Sequence, residues 1–338
     1  AGPQLRPVAP LRGGDSVILV RAPLRVSLFG GGSDLPQALT HRSPGSVVSF
    51  PITPSVFVTV RSRFDDAVVA SYSVTEPVRD ASLIENPILR ESLLAGNVRQ
   101  GVEGHLMSDV STGGTGLGGS SALAVAMWMA LSEYMGARGG IDGALHGAAS
   151  VEIGRWGAPI GKQDHAAASL GGLNRFDFYD DGRVTRASYP VSPQVQVVVG
   201  TLILVHTGYS RNSSEVLKRA DGAASSAARD FVDAGLEAVV TGRWWDVGEL
   251  LKAVWRKKKG SAPGTSDDVI DEIIAKGIGL GAVGAKVCGA GGGGFVLFVV
   301  PPDRRMGFLE EIGLPVLPFR VAEFGAHVVS RTPEDLRR

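Results

Sequence analysis

The residues of this chain best suited to chemistry are two glycine-dense loops and a few carboxylates. Ser111-Thr112-Gly113-Gly114-Thr115-Gly116-Leu117-Gly118-Gly119-Ser120-Ser121 runs directly into an apolar, alanine-rich stretch that begins at Ala122 and reads as a helix. A glycine-rich loop feeding a helix start gathers unpaired backbone N–H groups and the positive end of the helix dipole, which makes an anion site. Phosphate is the leading candidate. The loop is not of the Walker type, because Gly119 stands before Ser120 where a lysine is needed. A dinucleotide fingerprint would need a preceding strand and a ribose-binding acid, and Leu106 to Val110 reads as a poor strand. The bland alternative is a loop capped by Ser120 or Ser121. A second tract, Gly289-Ala290-Gly291-Gly292-Gly293-Gly294, precedes the strand-like Phe295 to Val300. Four consecutive glycines forfeit backbone entropy, which suggests a close backbone approach to a bulky charged ligand.

Asp164, in Gly161-Lys162-Gln163-Asp164-His165, either caps a helix or holds a substrate hydroxyl during phosphoryl transfer. Glu152, among small residues, is either a solvated or salt-bridged helix position or a Mg2+ ligand acting with a hydroxyl of Ser120 or Ser121. Asp34, after Gly30-Gly31-Gly32-Ser33, either fixes an Asx turn or accepts bonds from sugar hydroxyls. Arg25 either orients a carboxylate or oxyanion or makes a structural strand pair.

These loops need elements to position them. At 338 residues the chain exceeds the usual size of a single core, so two domains are expected, divided near residue 200. Val17 to Val20 and Leu24 to Phe29 read as strands around Pro23. Val47 to Ser49 and Ser55 to Arg61 continue the strand-rich region, with two-sided burial expected for the latter. Helices are expected over Ala122 to Tyr134 and Gly143 to Gly154, then strands from Asp177 to Val199 broken at Asp181-Gly182, and a buried strand at Leu202 to Val205. Helices follow at Ser213 to Val240, Gly248 to Trp255 and Asp267 to Ala275.

Lysine plus arginine equals aspartate plus glutamate at 34 each, which gives no electrostatic case for nucleic acid or an anionic membrane. The basic run Arg256-Lys257-Lys258-Lys259 reads as a solvated helix end. The single cysteine, Cys288, excludes an intrachain disulfide and a thiolate cluster, and is a buried apolar residue in preference to a reactive thiol. Without a membrane-length apolar stretch or a hydrophobic signal region, a cytoplasmic protein is expected. Its partner would be a small molecule, with a homodimer as the candidate assembly.

Three tracts in order carry a family resemblance: Arg21-Ala22-Pro23-Leu24-Arg25-Val26-Ser27 running to Asp34, Gly116-Leu117-Gly118-Gly119-Ser120-Ser121-Ala122, and Lys286-Val287-Cys288 followed by the second glycine tract and Phe295. Together they resemble the GHMP kinases, the group of galactokinase, homoserine kinase, mevalonate kinase and phosphomevalonate kinase. Phe29-Gly30-Gly31-Gly32-Ser33-Asp34-Leu35-Pro36, Gly161 to Asp164 with Gly171-Gly172-Leu173-Asn174, and His206 to Ser213 look most like the heptose 7-phosphate kinase branch and related sugar-1-kinases. Gly119 departs from the common Gly-Leu-Gly-Ser-Ser, and Leu24 stands where many relatives have glycine.

The resemblance implies a two-domain α+β fold: residues 1–200 with a five-stranded sheet, and residues 201–338 as a ferredoxin-like unit, with the active site between them. It implies ATP and Mg2+ as cofactors and anomeric phosphorylation of a sugar phosphate, foremost a D-glycero-D-manno-heptose 7-phosphate. A fucose or mannose kinase and a non-catalytic nucleotide and sugar sensor are the alternatives. Asp164 and Arg25 would be catalytic, and Ser121 and Glu152 would hold the metal. Gly113, Gly114, Gly116, Leu117, Gly118, Gly119, Ser120 and Ser121 would cradle the triphosphate. Asp34, Gly32, Ser33, His41, Arg42, Gly291, Gly292 and Arg211 would meet the sugar or its phosphate.

Overall fold

The computed structural model describes residues 17–41, 43–137, 140–210, 216, 228–260 and 263–331. Its scaffold is set by two long strands, β1 (Val17–Phe29) and β2 (Gly45–Ser62), paired antiparallel over almost their whole length. Strand β1 runs through Pro23 without a break, because the register shift after it absorbs the missing N–H donor. Strand β2 serves two partners. Its first residues pair with β6 (Leu173–Phe178), which continues to β7 (Val184–Tyr189), and its last residues pair with β5 (Val102–Ser108). Strands β3 (Val68–Ser71) and β4 (Thr75–Val78) extend the β5 side, and β12 (His327–Arg331) covers β1. The sheet therefore has eight strands where five were expected.

Several sequence expectations change here. Val56, Val58 and Val60 are buried, whereas Phe57 and Thr59 are half-buried and Arg61 is exposed, so burial is one-sided. The stretch around Leu106 is a genuine strand, held by β2. Pro193–Thr201 is a helix, α5, instead of a strand continuing to Val199, because Ser192 Oγ accepts from Val195 N and Pro193 suits the first turn.

Helix α2 (Gly119–Tyr134) is buried on nearly every side between the first sheet and its companions, α1 (Pro87–Ala95), α3 (Gly140–Ala149) and α4 (Gln163–Ser169). A π-helical turn, Ser150–Arg155, extends α3. The second sheet is antiparallel with the order β11 (Val316–Leu317), β8 (Leu202–His206), β10 (Phe295–Val299), β9 (Gly284–Val287). In chain order that is 4-1-3-2. Helices α6 (Val232–Val240), α7 (Trp244–Lys259) and α8 (Asp268–Gly279) follow its first strand, and α9 (Arg305–Glu311) follows its third. This is the β-α-β-β-α-β plan of a ferredoxin-like unit. The chain then returns to the first sheet as β12, so a cut at residue 200 does not follow sheet membership. One apolar core joins the two layers, with Leu204, Leu297 and Val299 in the same cluster as Leu24, Val26 and Leu28.

Candidate active site

A cleft of about 1360 Å³, counted out to its open mouth, lies between the two sheets. Strand β1 contributes Arg25 and Ser27, the loop and first turn of α2 contribute Thr112, Gly114 to Gly116 and Gly118 to Ser120, and the start of α4 contributes Gln163 and Asp164. From the opposite wall come Lys257, Lys258 and Lys286.

Arg25 is the joint of this cleft. Its Nε and Nη2 donate to Asp164 Oδ1 and Oδ2 at 2.8 and 2.7 Å, a bidentate pair, and its third nitrogen, Nη1, donates to the Gly116 carbonyl. Its backbone N–H donates to the Leu117 carbonyl at 2.9 Å. One residue thus ties strand β1 to both the loop and the carboxylate. Gly118 occupies the cap position of α2 at φ +76°, and among the described residues no side chain caps the helix. The serine cap weighed from the sequence is therefore not formed, and the first N–H groups of α2 remain for an anion. Gly119 is explained by space, since a Cβ there would lie 2.7 Å from Thr112 Cα.

Asp34 is buried beside this pair. Gln163 holds both its oxygens, through Nε2 to Oδ1 at 2.7 Å and N to Oδ2 at 3.0 Å, while Gln163 Oε1 accepts from Ser27 Oγ at 3.0 Å. Burial pushes the Asp34 carboxyl up to about 6, against the Gln163 N–H and with help from the neighbouring Asp164 charge. Gln163 thereby links the turn carrying Asp34, and strand β1 through Ser27, to its own neighbour Asp164.

Beneath the loop, Glu152 and Ser121 are buried out of the cleft. Glu152 Oε2 lies 2.8 Å from His165 Nε2 without hydrogen-bond alignment, and among the described residues neither carboxylate oxygen nor the Ser121 Oγ has a hydrogen-bond partner. Burial raises the Glu152 carboxyl, but His165 and the Ser120 and Ser121 hydroxyls outweigh it and hold it below the usual carboxylate range. Orphaned carboxylate and hydroxyl oxygens suit a hard divalent cation. Among the described residues no cluster of three or more His, Cys, Asp or Glu could hold a metal, so such an ion would draw its remaining ligands from phosphate and water.

The other expected residues are distributed unevenly. Gly32, Gly114, Gly116, Gly118, Gly119 and Ser120 line the cleft. Gly113 and Leu117 do not, Leu117 being fully buried in the core. Ser33 turns inward, its Oγ donating to the Ser46 carbonyl at 3.0 Å. His41 is exposed, 3.8 Å from Asp180, and is not part of the cleft. Arg42 and Arg211 lie outside the described residues. Gly291 and Gly292 are buried away from the cleft, and the approach they permit is to the chain itself: a Cβ at Gly291 would lie 2.5 Å from the Thr265 carbonyl oxygen. The two glycine tracts do meet, at Gly116 and Cys288 to Gly289.

Gln163, Ser27, Lys258 and Lys286 went unassigned from the sequence. Gln163 and Lys286 lie inside the quoted motifs, which is the signal that was available. Lys258 was read within a solvated helix end, but its Nζ reaches inward to the Gly289 carbonyl, while Lys257 and Lys259 pair with Asp230 and Asp271.

Comparison with known proteins accords with this geometry. Residues 82–172 match the model of the GHMP kinases N terminal domain and residues 236–311 that of the GHMP kinases C terminal domain. The chain belongs to the GHMP kinases and is a phosphotransferase of that family. It is 26% identical, over 87% of its length and 93% of the relative's, to the D-glycero-alpha-D-manno-heptose 7-phosphate kinase of Campylobacter jejuni. Its fold matches that of a D-glycero-D-manno-heptose 1-phosphate kinase from Bacteriodes thetaiotaomicron at TM-score 0.75 and 21% identity, covering 93% of this chain and 99% of the other. It also matches Lactococcus lactis galactokinase at TM-score 0.70 and 16% identity, covering 93% and 95%. Among the described residues no helix is long and apolar enough to cross a membrane.

Proposed function

We propose that this kinase transfers the terminal phosphoryl group of ATP to the anomeric hydroxyl of a sugar phosphate, a manno-configured heptose 7-phosphate. The observation that carries the reaction is the bidentate Arg25–Asp164 pair beside the open N-terminus of α2. The substrate class is supported by the 26% identity to the Campylobacter heptose 7-phosphate kinase.

In this reading the N–H groups from Gly114 to Ser120 receive the phosphates and draw off charge as it spreads over the transferring group. The anomeric oxygen forms the new O–P bond, the bond to the ADP oxygen breaks, and the hydroxyl proton passes to Asp164. Each Asp164 oxygen keeps a lone pair beyond the one engaged by Arg25, so the carboxylate can accept from the hydroxyl while Arg25 fixes its plane. That pairing favours aim over basicity, which suits a loose transition state. Asp34 accepts from sugar hydroxyls, with Gln163 keeping the two carboxylates in fixed relation. Mg2+, held by Glu152 and Ser121 when bound, would neutralise phosphate charge.

Purified protein incubated with ATP, Mg2+ and a panel of aldoses and aldose phosphates, with ADP release followed and the product mapped by NMR, tests this. The expected product is the 1,7-bisphosphate. Preference for the sugar lacking the distal phosphate would assign a neutral-sugar kinase instead.

A further inference from the structure

His165 follows Asp164 in the first turn of α4, yet the two side chains leave the helix on different sides. Asp164 lines the cleft and pairs with Arg25, whereas His165 is completely buried and turns its Nε2 to within 2.8 Å of Glu152 Oε2. Buried Ala166, Ala167 and Ala168 leave room for α4 to pack against α2. Glu152 itself stands on the π-helical turn, where the Trp156 N–H donates to the Val151 carbonyl at 2.9 Å, an i→i+5 bond. Its side chain is only 1% exposed, and the Ser120 and Ser121 hydroxyls at the start of α2 act on the same carboxylate. Three elements thus converge on one charge: the π turn carries it, α4 sends His165 to its Oε2, and α2 brings the two serines. An ionised carboxylate is costly to bury without a donor or a cation beside it. His165 does not line the cleft, so whatever it does for the reaction passes through Glu152.

We propose that His165 is a positioning residue for the divalent cation. With its proton on Nε2 the ring is a donor facing Oε2, which restricts rotation of the carboxylate and keeps it turned toward Ser120 and Ser121. A metal ligand oriented from behind in this way binds its ion more tightly than one left free to turn. The first turn of α4 thereby serves both halves of the chemistry, Asp164 toward the acceptor hydroxyl and His165 toward the metal ligand. The inference rests on the reading of Glu152 and Ser121 as the residues that hold Mg2+ given above.

The test measures Mn2+ binding to the protein–ADP complex by electron paramagnetic resonance in the parent, His165→Leu, His165→Gln, Glu152→Gln and the His165→Leu/Glu152→Gln double variant. A Gln amide nitrogen reaches the place of Nε2 and still donates, whereas Leu fills the space without a donor. His165→Leu is expected to weaken Mn2+ binding roughly 10- to 100-fold and His165→Gln by less than about fivefold, with metal-free ADP affinity held within about threefold in both. In the Glu152→Gln background the Leu change should add almost nothing. Turnover of His165→Leu should recover with excess Mg2+. A Leu variant that binds Mn2+ like the parent while melting lower makes His165 a packing residue and overturns the proposal, as does a loss that persists at full size in the Glu152→Gln background. Should His165→Leu fail to fold, His165→Asn decides, because its amide nitrogen takes the place of Nδ1 and stops short of Oε2. If Glu152→Gln alone leaves Mn2+ binding unchanged, the metal reading of Glu152 falls and the proposal with it.

Discussion

Arg25 grips both carboxylate oxygens of Asp164 across 139 positions of sequence, at 2.8 and 2.7 Å, while its third nitrogen holds the Gly116 carbonyl. The phosphate loop and the carboxylate are thereby oriented by one side chain. Asp164→Asn retains the size and removes the charge and nearly all proton-accepting ability. Turnover is expected to fall roughly 10²- to 10⁴-fold with nucleotide affinity nearly unchanged. Steady-state kinetics with ADP calorimetry checks this, and a variant within threefold of the parent would remove Asp164 from the chemistry.

Ser121→Ala deletes a buried hydroxyl beside Glu152. Affinity for Mg·ATP and turnover should both drop, and excess Mg2+ should recover part of the loss. The same Mg2+ series should do nothing for Asp164→Asn. Direct titration of Mn2+ with ADP present separates metal affinity from activity.

Asp34 supplies a pH test with a definite sign. Its carboxyl is raised from 3.8 to about 6 by burial, so the folded state holds a proton that the unfolded chain has released. Its contribution to stability is complete below pH 3.8, is lost as pH rises to about 6, and stays lost above. Asp34→Asn should therefore melt higher than the parent at pH 8, by up to about 3 kcal/mol, and the two should converge near pH 4. Function runs the other way: the sugar KM should climb as pH falls through 6 in the parent, and the Asn variant should show a high, flat KM. A parent KM that is level from pH 5 to 8 would contradict the assignment.

Gly116 sits at φ +76°, and a Cβ there would lie 2.5 Å from the Cys288 carbonyl oxygen, a backbone atom that cannot swing aside. Gly116→Ala should cost at least about 1–2 kcal/mol from the left-handed backbone alone, with more from the contact. Because the two glycine tracts would be pushed apart, ATP KM should rise together with the loss in Tm.

Much of the site was present in local sequence. Gly118 at the start of an alanine-rich helix, Asp34 after three glycines and Asp164 in a polar insertion each carry a physical signature that needs no partner. Order along the chain was also legible, as was the α+β class, since helix and strand periods come from neighbouring residues. What neighbours cannot supply is which backbone a glycine touches. Gly291 approaches Thr265 and not a ligand, and Gly119 yields to Thr112, because loop packing is decided by chain segments distant in sequence. Ser33 shows the same limit, its hydroxyl being claimed by the Ser46 backbone. Lys258 and Lys286 are the sharpest case. Burial of a charge depends on which wall it faces, and only the meeting of the two sheets turns two lysines, one from a basic helix end and one from a strand, into cations on a shared cleft.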